Sequence, residues 1–232
     1  MNRRRAIVVT VATWLFWFPG LHGEEKDAGE LLVARGGARV SLQCGDVRLD
    51  GALKMRADGV ASEQWQVAMD CVARLEVVRV RRPVGISDAE ILALRLTLTN
   101  RSGEMRTVPV IVSLAPSSLT APGLRALAFE RQAFSVKGQL VLAADTPSWG
   151  AILAESAFAP RPLTPQEVAH VTSTEGECRG EMVFDLRLAA GQSQVIALLA
   201  PAPLATSPDV PVGLEFLRKM RVDEFFSAVK AP

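Results

Sequence analysis

The chain has 232 residues, 49% of them hydrophobic and 22% charged, with a formal net charge of +1. That composition excludes a disordered or fibrous protein and allows a sizeable core without disulfide staples. It also gives no electrostatic case for nucleic-acid binding, because basic and acidic residues nearly balance at 26 and 25 and no basic block occurs.

The first segment has the layout of an export signal. Arg3, Arg4 and Arg5 precede an uncharged apolar run over residues 6–18, Pro19 and Gly20 break it, and a small residue, Gly23, ends it. Cleavage after about Gly23 is expected, which places the mature protein in a secreted or periplasmic compartment. The alternative is an uncleaved anchor, but the apolar run is shorter than the roughly 20 residues a spanning helix needs. Removing residues 1–23 takes away three Arg and no acid, so the mature chain carries 23 basic and 25 acidic residues, a formal −2. No later segment is apolar for long enough to span a bilayer.

The mature chain then reads as a succession of short strands. Residues 31–34 and 39–43 alternate around Gly36-Gly37 and predict a hairpin. Val47, Leu49, Leu53 and Met55 continue the pattern. Residues 64–69 and 71–80 are further strand candidates, with Arg74, Glu76 and Arg79 marking solvent in the second.

The strongest signal lies in residues 91–114. Leu92, Leu94, Leu96 and Leu98 alternate with Ala93, Arg95, Thr97 and Thr99, a period of two that buries one face and wets the other. Asn100-Arg101-Ser102-Gly103 is a turn cluster, and Val108, Val110, Val112 and Leu114 alternate again. Joined by a short polar loop, the two strands predict an antiparallel hairpin. A lone hairpin cannot hide its apolar face, so a second sheet must cover it. The expected fold is therefore an all-β antiparallel sandwich over residues 24–200. Residues 129–136, 139–143 and 149–155 are three more strand-like pieces.

Thr164-Pro165-Gln166-Glu167 has capping-box spacing with proline at the first helical position, which predicts a short helix near residues 165–170. Met182, Phe184, Leu186 and Leu188 alternate along one strand, and residues 195–199 form a last one. Residues 201–211 hold four prolines and read as a linker. Residues 214–229 are helix-like, with Leu217, Met220 and Phe225 as core contacts.

Candidate chemistry is sparse. The cysteines are Cys44, Cys71 and Cys178. Either one of the three pairings forms a disulfide, with Cys44 and Cys71 preferred because they sit on nearby predicted strands, or all three are buried thiols packed as small apolar residues. The mature chain's single histidine, His170, lies near Ser173 and Asp185, but no nucleophile elbow accompanies them, and one His with three scattered Cys does not make a metal centre. Ser227-Ala228-Val229-Lys230 fits S-x-x-K without the companion motifs of serine enzymes. Asp46 with Asp50, Glu175 with Glu177, and Asp223 with Glu224 are carboxylate pairs in solvated stretches, unlike the buried acids of sugar hydrolysis. No phosphate loop, dinucleotide fingerprint or calcium loop occurs, so no cofactor is expected. Ligand-binding candidates are the two mature tryptophans, Trp65 and Trp149, as ring platforms, and the basic cluster Arg79, Arg81 and Arg82 as an anion contact. Asn100-Arg101-Ser102 also matches a glycosylation sequon.

Two segments carry a family resemblance. Residues 91–103, ending in Asn100-Arg101-Ser102-Gly103 and followed by a strand through Pro116, resemble the strand, N-x-S/T-G turn, strand and proline of β-sandwich domains that precede (α/α) barrel glycosidase-like catalytic domains. Residues 184–193, from Phe184-Asp185-Leu186 to Gly191-Gln192-Ser193, resemble their late D-L-x-L-A-P-G-Q-S hairpin, with Ala190 in place of the proline. In such proteins the catalytic carboxylates sit on the helical barrel. The resemblance thus implies a detached, non-catalytic accessory sandwich whose partner is a helical-barrel catalytic domain or another exported protein. The rival expectations are an autonomous glycan- or envelope-binding module, and a hydrolase with a site near His170.

Overall fold

The computed structural model describes residues 32–34, 38–49, 60–68, 70–84, 87–116, 124–156, 160–201 and 221–230. The signal segment, Leu53 and Met55, residues 202–211 of the linker, and Leu217 and Met220 lie outside the described residues.

Two antiparallel sheets pack face to face. The first runs in the order β1 (Leu32–Ala34), β2 (Ala38–Cys44), β7 (Arg106–Pro116), β14 (Arg179–Leu188), β11 (Gly150–Ala154) and β12 (Pro160–Leu163), with β3 (Val47–Leu49) also on β2. The second runs β13 (Ala169–Thr172), β8 (Ala126–Glu130), β9 (Ala133–Val136), β10 (Gln139–Ala144), β15 (Ser193–Pro201), β6 (Ser87–Asn100), β5 (Cys71–Val84) and β4 (Val60–Ala68). The all-β sandwich is therefore present. Its core joins Leu92, Leu94, Leu96 and Leu98 of β6 to Val108, Val110, Val112 and Leu114 of β7 and to Met182, Phe184, Leu186 and Leu188 of β14. The expected hairpin of β1 with β2 also forms.

The leucine and valine stripes are not joined as a hairpin. β6 pairs with β5 and β15, whereas β7 pairs with β2 and β14. The chain arches from one sheet to the other at residues 101–105. In a hairpin both stripes would share one face and still need cover; across an arch each covers the other. The step from β14 to β15 is a second arch. Asn100 ties the two together. Its fully buried amide donates to the carbonyls of Glu104 (2.7 Å), Leu188 (3.1 Å) and Ala189 (3.0 Å), and its Oδ1 accepts from the Ser102 N–H (2.9 Å) and hydroxyl (2.7 Å). The sequon nitrogen is thus enclosed in the fold.

Three further expectations are corrected. The segment 129–136 is two strands, β8 and β9, because Arg131 and Gln132 turn with φ of 52° and 62°, the sign pattern of a type I′ hairpin turn. No helix follows Thr164. The carboxylate of Glu167 accepts the Thr164 N–H at 2.5 Å and the Thr164 carbonyl accepts the Glu167 N–H at 3.1 Å, closing a turn. The next residues extend as β13 because Ala169 and Val171 find apolar cover against the core there. The Cys44–Cys71 bridge is not formed. Both are free, buried thiols, on β2 of the first sheet and β5 of the second, and Cys178 is free and buried too. Each fills the core as a small apolar residue.

The described part of the C-terminal segment is one helix, α1 (Val222–Lys230), starting within the expected stretch. Asp223 and Glu224 occupy its first turn, where the helix dipole favours negative charge. Val222, Phe225 and Phe226 are buried against the outer face of the second sheet, on Val78, Ile91, Ala93, Leu140 and Leu199. No helix among the described residues is long and apolar enough to cross a membrane.

Candidate functional site

The outer face of the second sheet is built in rows, and the rows change character along it. Antiparallel register sets Val60, Val78, Ala93 and Leu199 side by side, an apolar row that α1 covers. The next row is Ser62, Glu76, Arg95 and Ala197; the next is Gln64, Arg74, Thr97 and Val195; and the one after is Gln66, Val72, Thr99 and Ser193. The face therefore passes from apolar to charged to mixed polar within three rows. Beyond the end of α1 the charged and polar rows line an open cavity of about 390 Å³, with Arg101 at its far end.

Glu76 and Arg95 set the electrostatics. They stand directly opposite each other, and both Nε (3.1 Å) and Nη2 (2.9 Å) of Arg95 donate to Glu76 Oε2. Arg74 Nη2 donates to the other oxygen, Oε1, at 3.1 Å. The Arg95 guanidinium also lies over the Phe226 ring, 4.2 Å from its centroid, so the helix and the carboxylate hold it from two directions. Arg95 is consequently a fixture between the covered and open halves of the face. Arg74 is over half exposed and keeps donors free of Glu76. Arg101 is exposed; its backbone N–H donates to the Asp70 carbonyl at 2.6 Å, while its guanidinium makes no hydrogen bond or ion pair among the described residues. Three guanidiniums against one carboxylate leave an excess of positive charge. Neutral polar groups stand among them: Gln64, Thr97, and Thr99, whose hydroxyl lies 2.8 Å from that of Ser193. Val195, 43% exposed, adds a small apolar patch.

The residues singled out from sequence are elsewhere. Trp65 of β4 stands opposite Ala73 on the inner face, half-buried and packed against the core. Trp149 precedes β11 on the first sheet and is 62% exposed, and its backbone N–H donates to the Val183 carbonyl at 2.7 Å. Arg79 and Arg81 have the opposite parity on β5 from Arg74 and Glu76, and they flank Glu90 at 3.8 Å and 3.6 Å. The side chain of Arg82 lies outside the described residues. His170 is exposed on β13, at the edge of the second sheet farthest in strand order from β4. Near it, the Ser173 hydroxyl accepts the Glu177 N–H at 3.2 Å, while Asp185 belongs to β14 of the other sheet and sits 3.9 Å from Arg187. Ser227 donates to the Asp223 carbonyl one turn back in α1. Asp46 is in the β2–β3 turn, Glu175 and Glu177 are exposed in a loop, and Asp50 lies outside the described residues.

Burial perturbs a few ionisable groups away from the cavity. It pushes the Cys44 thiol up to about 12, and it raises Cys71 and Cys178 as well. Glu181, on the outer face of the first sheet, is also raised by burial, with Ser113 donating to it at 3.4 Å. The Thr164 N–H lowers Glu167. Among the described residues, no group of three or more His, Cys, Asp or Glu is placed to hold a metal ion.

Arg74, Glu76, Arg95 and Arg101 were legible only as solvent-facing strand or turn residues. What unites them is the register of β5 on β6 and the turn that follows β6, for which the sequence offers only one signal: the outer stripe of β6 switches from Ile91 and Ala93 to Arg95, Thr97 and Thr99. No protein-family model and no curated protein sequence matches this chain.

Proposed function

We propose that this chain is an exported, non-catalytic β-sandwich that serves as an accessory or interaction module in carbohydrate processing, in a secreted or periplasmic setting. The observation that carries the reading is the divided outer face of the second sheet. Its apolar half is used up by α1, while its polar half stays open as a concave surface of sheet residues held by strand pairing. A rigid, charged, concave sheet face suits recognition. The export layout of residues 1–23 and the resemblance to sandwiches that accompany helical-barrel glycosidases supply the setting and the partner class. The test is twofold. The mature protein is incubated with a panel of glycans, and no hydrolysis above the blank is expected. It is also run over a sizing column with a helical-barrel glycosidase-like protein from the same genome, and co-elution is expected. Turnover of any glycan by the purified chain overturns the reading.

The second reading, an autonomous glycan-binding module, is favoured by one observation, the exposed ring of Trp149. It requires Trp149→Ala to abolish binding to a glycan array while leaving the melting temperature unchanged.

A further inference from the structure

We infer that the open half of the second sheet's outer face is a binding site for an acidic saccharide, one whose carboxylate or sulfate group is held by Arg101 and Arg74. This rests on the accessory-module reading and names the ligand class that the open face takes. The charge inventory selects an anion. Glu76 engages both Arg95 and Arg74, and Arg95 is spent on that pair and on the face of Phe226. The Arg101 guanidinium has no partner among the described residues, and Arg74 keeps the donors not engaged by Glu76. A guanidinium presents a planar fork that matches a carboxylate or sulfate edge through two parallel hydrogen bonds. Arg95 is a positioning residue: it orients Glu76, which in turn holds Arg74 over the cavity.

The rest of the surface selects a sugar rather than a bare ion. The cavity, about 390 Å³, is far larger than a single oxyanion and lies within the usual range for small-ligand sites, roughly 300–1,000 Å³. Gln64 and Thr97 make no side-chain hydrogen bond among the described residues and offer donors and acceptors for sugar hydroxyls. Val195 gives the C–H face of a pyranose an apolar place to rest. All of these groups stand on paired strands, so little ordering is needed on binding.

The experiment is titration calorimetry of the full mature chain at low salt with four probes: a uronic-acid oligosaccharide, a sulfated oligosaccharide, a neutral oligosaccharide of equal length, and inorganic phosphate. At least one acidic oligosaccharide is expected to bind ten-fold or more tighter than the neutral one and than phosphate, and to weaken in 0.5 M salt, as screened ion pairs do. The carboxylate and sulfate arms show which oxyanion is used. Arg101→Ala is expected to lose ten-fold or more in affinity, and Arg74→Ala with Arg101→Ala to lose detectable binding, both with a parental melting temperature. Thr97→Glu, which adds a repelling charge by a different route, is expected to do the same. Equal binding of neutral and acidic sugars, equal binding of phosphate, or full affinity in Arg101→Ala overturns the inference. If no probe binds but the helical-barrel protein still co-elutes, the inference fails while the accessory-module reading stands; glycan turnover removes that reading instead.

Discussion

Replacing Asn100 tests the two-arch architecture at one side chain. Asn100→Ala removes the amide that donates to the Glu104, Leu188 and Ala189 carbonyls, and the Oδ1 that accepts from Ser102. A buried polar group left without its partner costs about 1–3 kcal/mol. The Leu188 end is buried, whereas Glu104 and Ala189 lie at the surface, where water can serve instead. The loss should therefore be about 2–3 kcal/mol, the upper part of the range for one buried orphan, against the roughly 5–15 kcal/mol typical of a domain. Asn100→Asp keeps the shape and the acceptor for Ser102 but points an anion at three carbonyl oxygens. Its carboxyl pKa in the folded state must lie above the unfolded value of about 3.9. The folded variant then holds a proton that the unfolded chain has released, so its stability is greatest below about pH 4 and falls as pH rises through the folded pKa. Urea unfolding followed by the fluorescence of Trp65 and Trp149, repeated from pH 3 to 8, measures both effects. The reasoning is refuted if both variants stay within about 1 kcal/mol of the parent, or if Asn100→Asp tracks the parent at every pH.

Three other outcomes follow from the same structure. A Cβ on Gly180 would sit 2.7 Å and 2.8 Å from the Phe134 ring and 2.9 Å from Leu127 across the sandwich, so Gly180→Ala should cost about 1–3 kcal/mol in urea unfolding, with part recovered in the double variant with Phe134→Leu. With its thiol pushed up to about 12 from 9.0, Cys44 holds its proton in the fold; mass-spectrometric labelling with iodoacetamide at pH 8 should be slow until the chain unfolds, and the contribution of Cys44 to stability should be full below about pH 9 and drain away toward pH 12, a decline that Cys44→Ala removes. Lys137 has φ of 50° beside Gly138 at 76°, so Lys137→Asn should raise the melting temperature by a few degrees, reflecting about 0.5–1 kcal/mol, because Asn tolerates the left-handed region that Lys resists.

Much of the secondary structure was legible because alternation is a local property. The stripes of β6, β7 and β14 announce strands with one buried face each, and two such faces demand a sandwich. Pairing was not legible. Asn100-Arg101-Ser102-Gly103 has the composition of a hairpin turn, yet it forms an arch, because the competing partners β5, β15, β2 and β14 are distant in sequence. Arg131-Gln132 lacks the Gly or Asn that marks a tight turn, so one strand was expected where two exist. The Thr164–Glu167 box satisfied its local hydrogen bond but had no apolar helical stripe after it, and the sheet edge took Ala169 and Val171 instead.

The candidate site was the least legible part, since none of its members is unusual alone. Trp65 and Trp149 stood out by residue type, whereas Arg74, Glu76, Arg95 and Arg101 acquire meaning only side by side. The amino-acid order by itself determined that the striped stretches of β6, β7 and β14 extend, which side of each must be dry, and that the dry sides need a second layer, because these depend on neighbours two residues apart. Only the tertiary structure decided which strands lie together, how α1 divides an outer face into covered and open halves, and where the arginines converge. Those outcomes depend on contacts between segments about a hundred residues apart or more, such as Thr99 with Ser193 and Arg95 with Phe226, whose competing free energies no local pattern records.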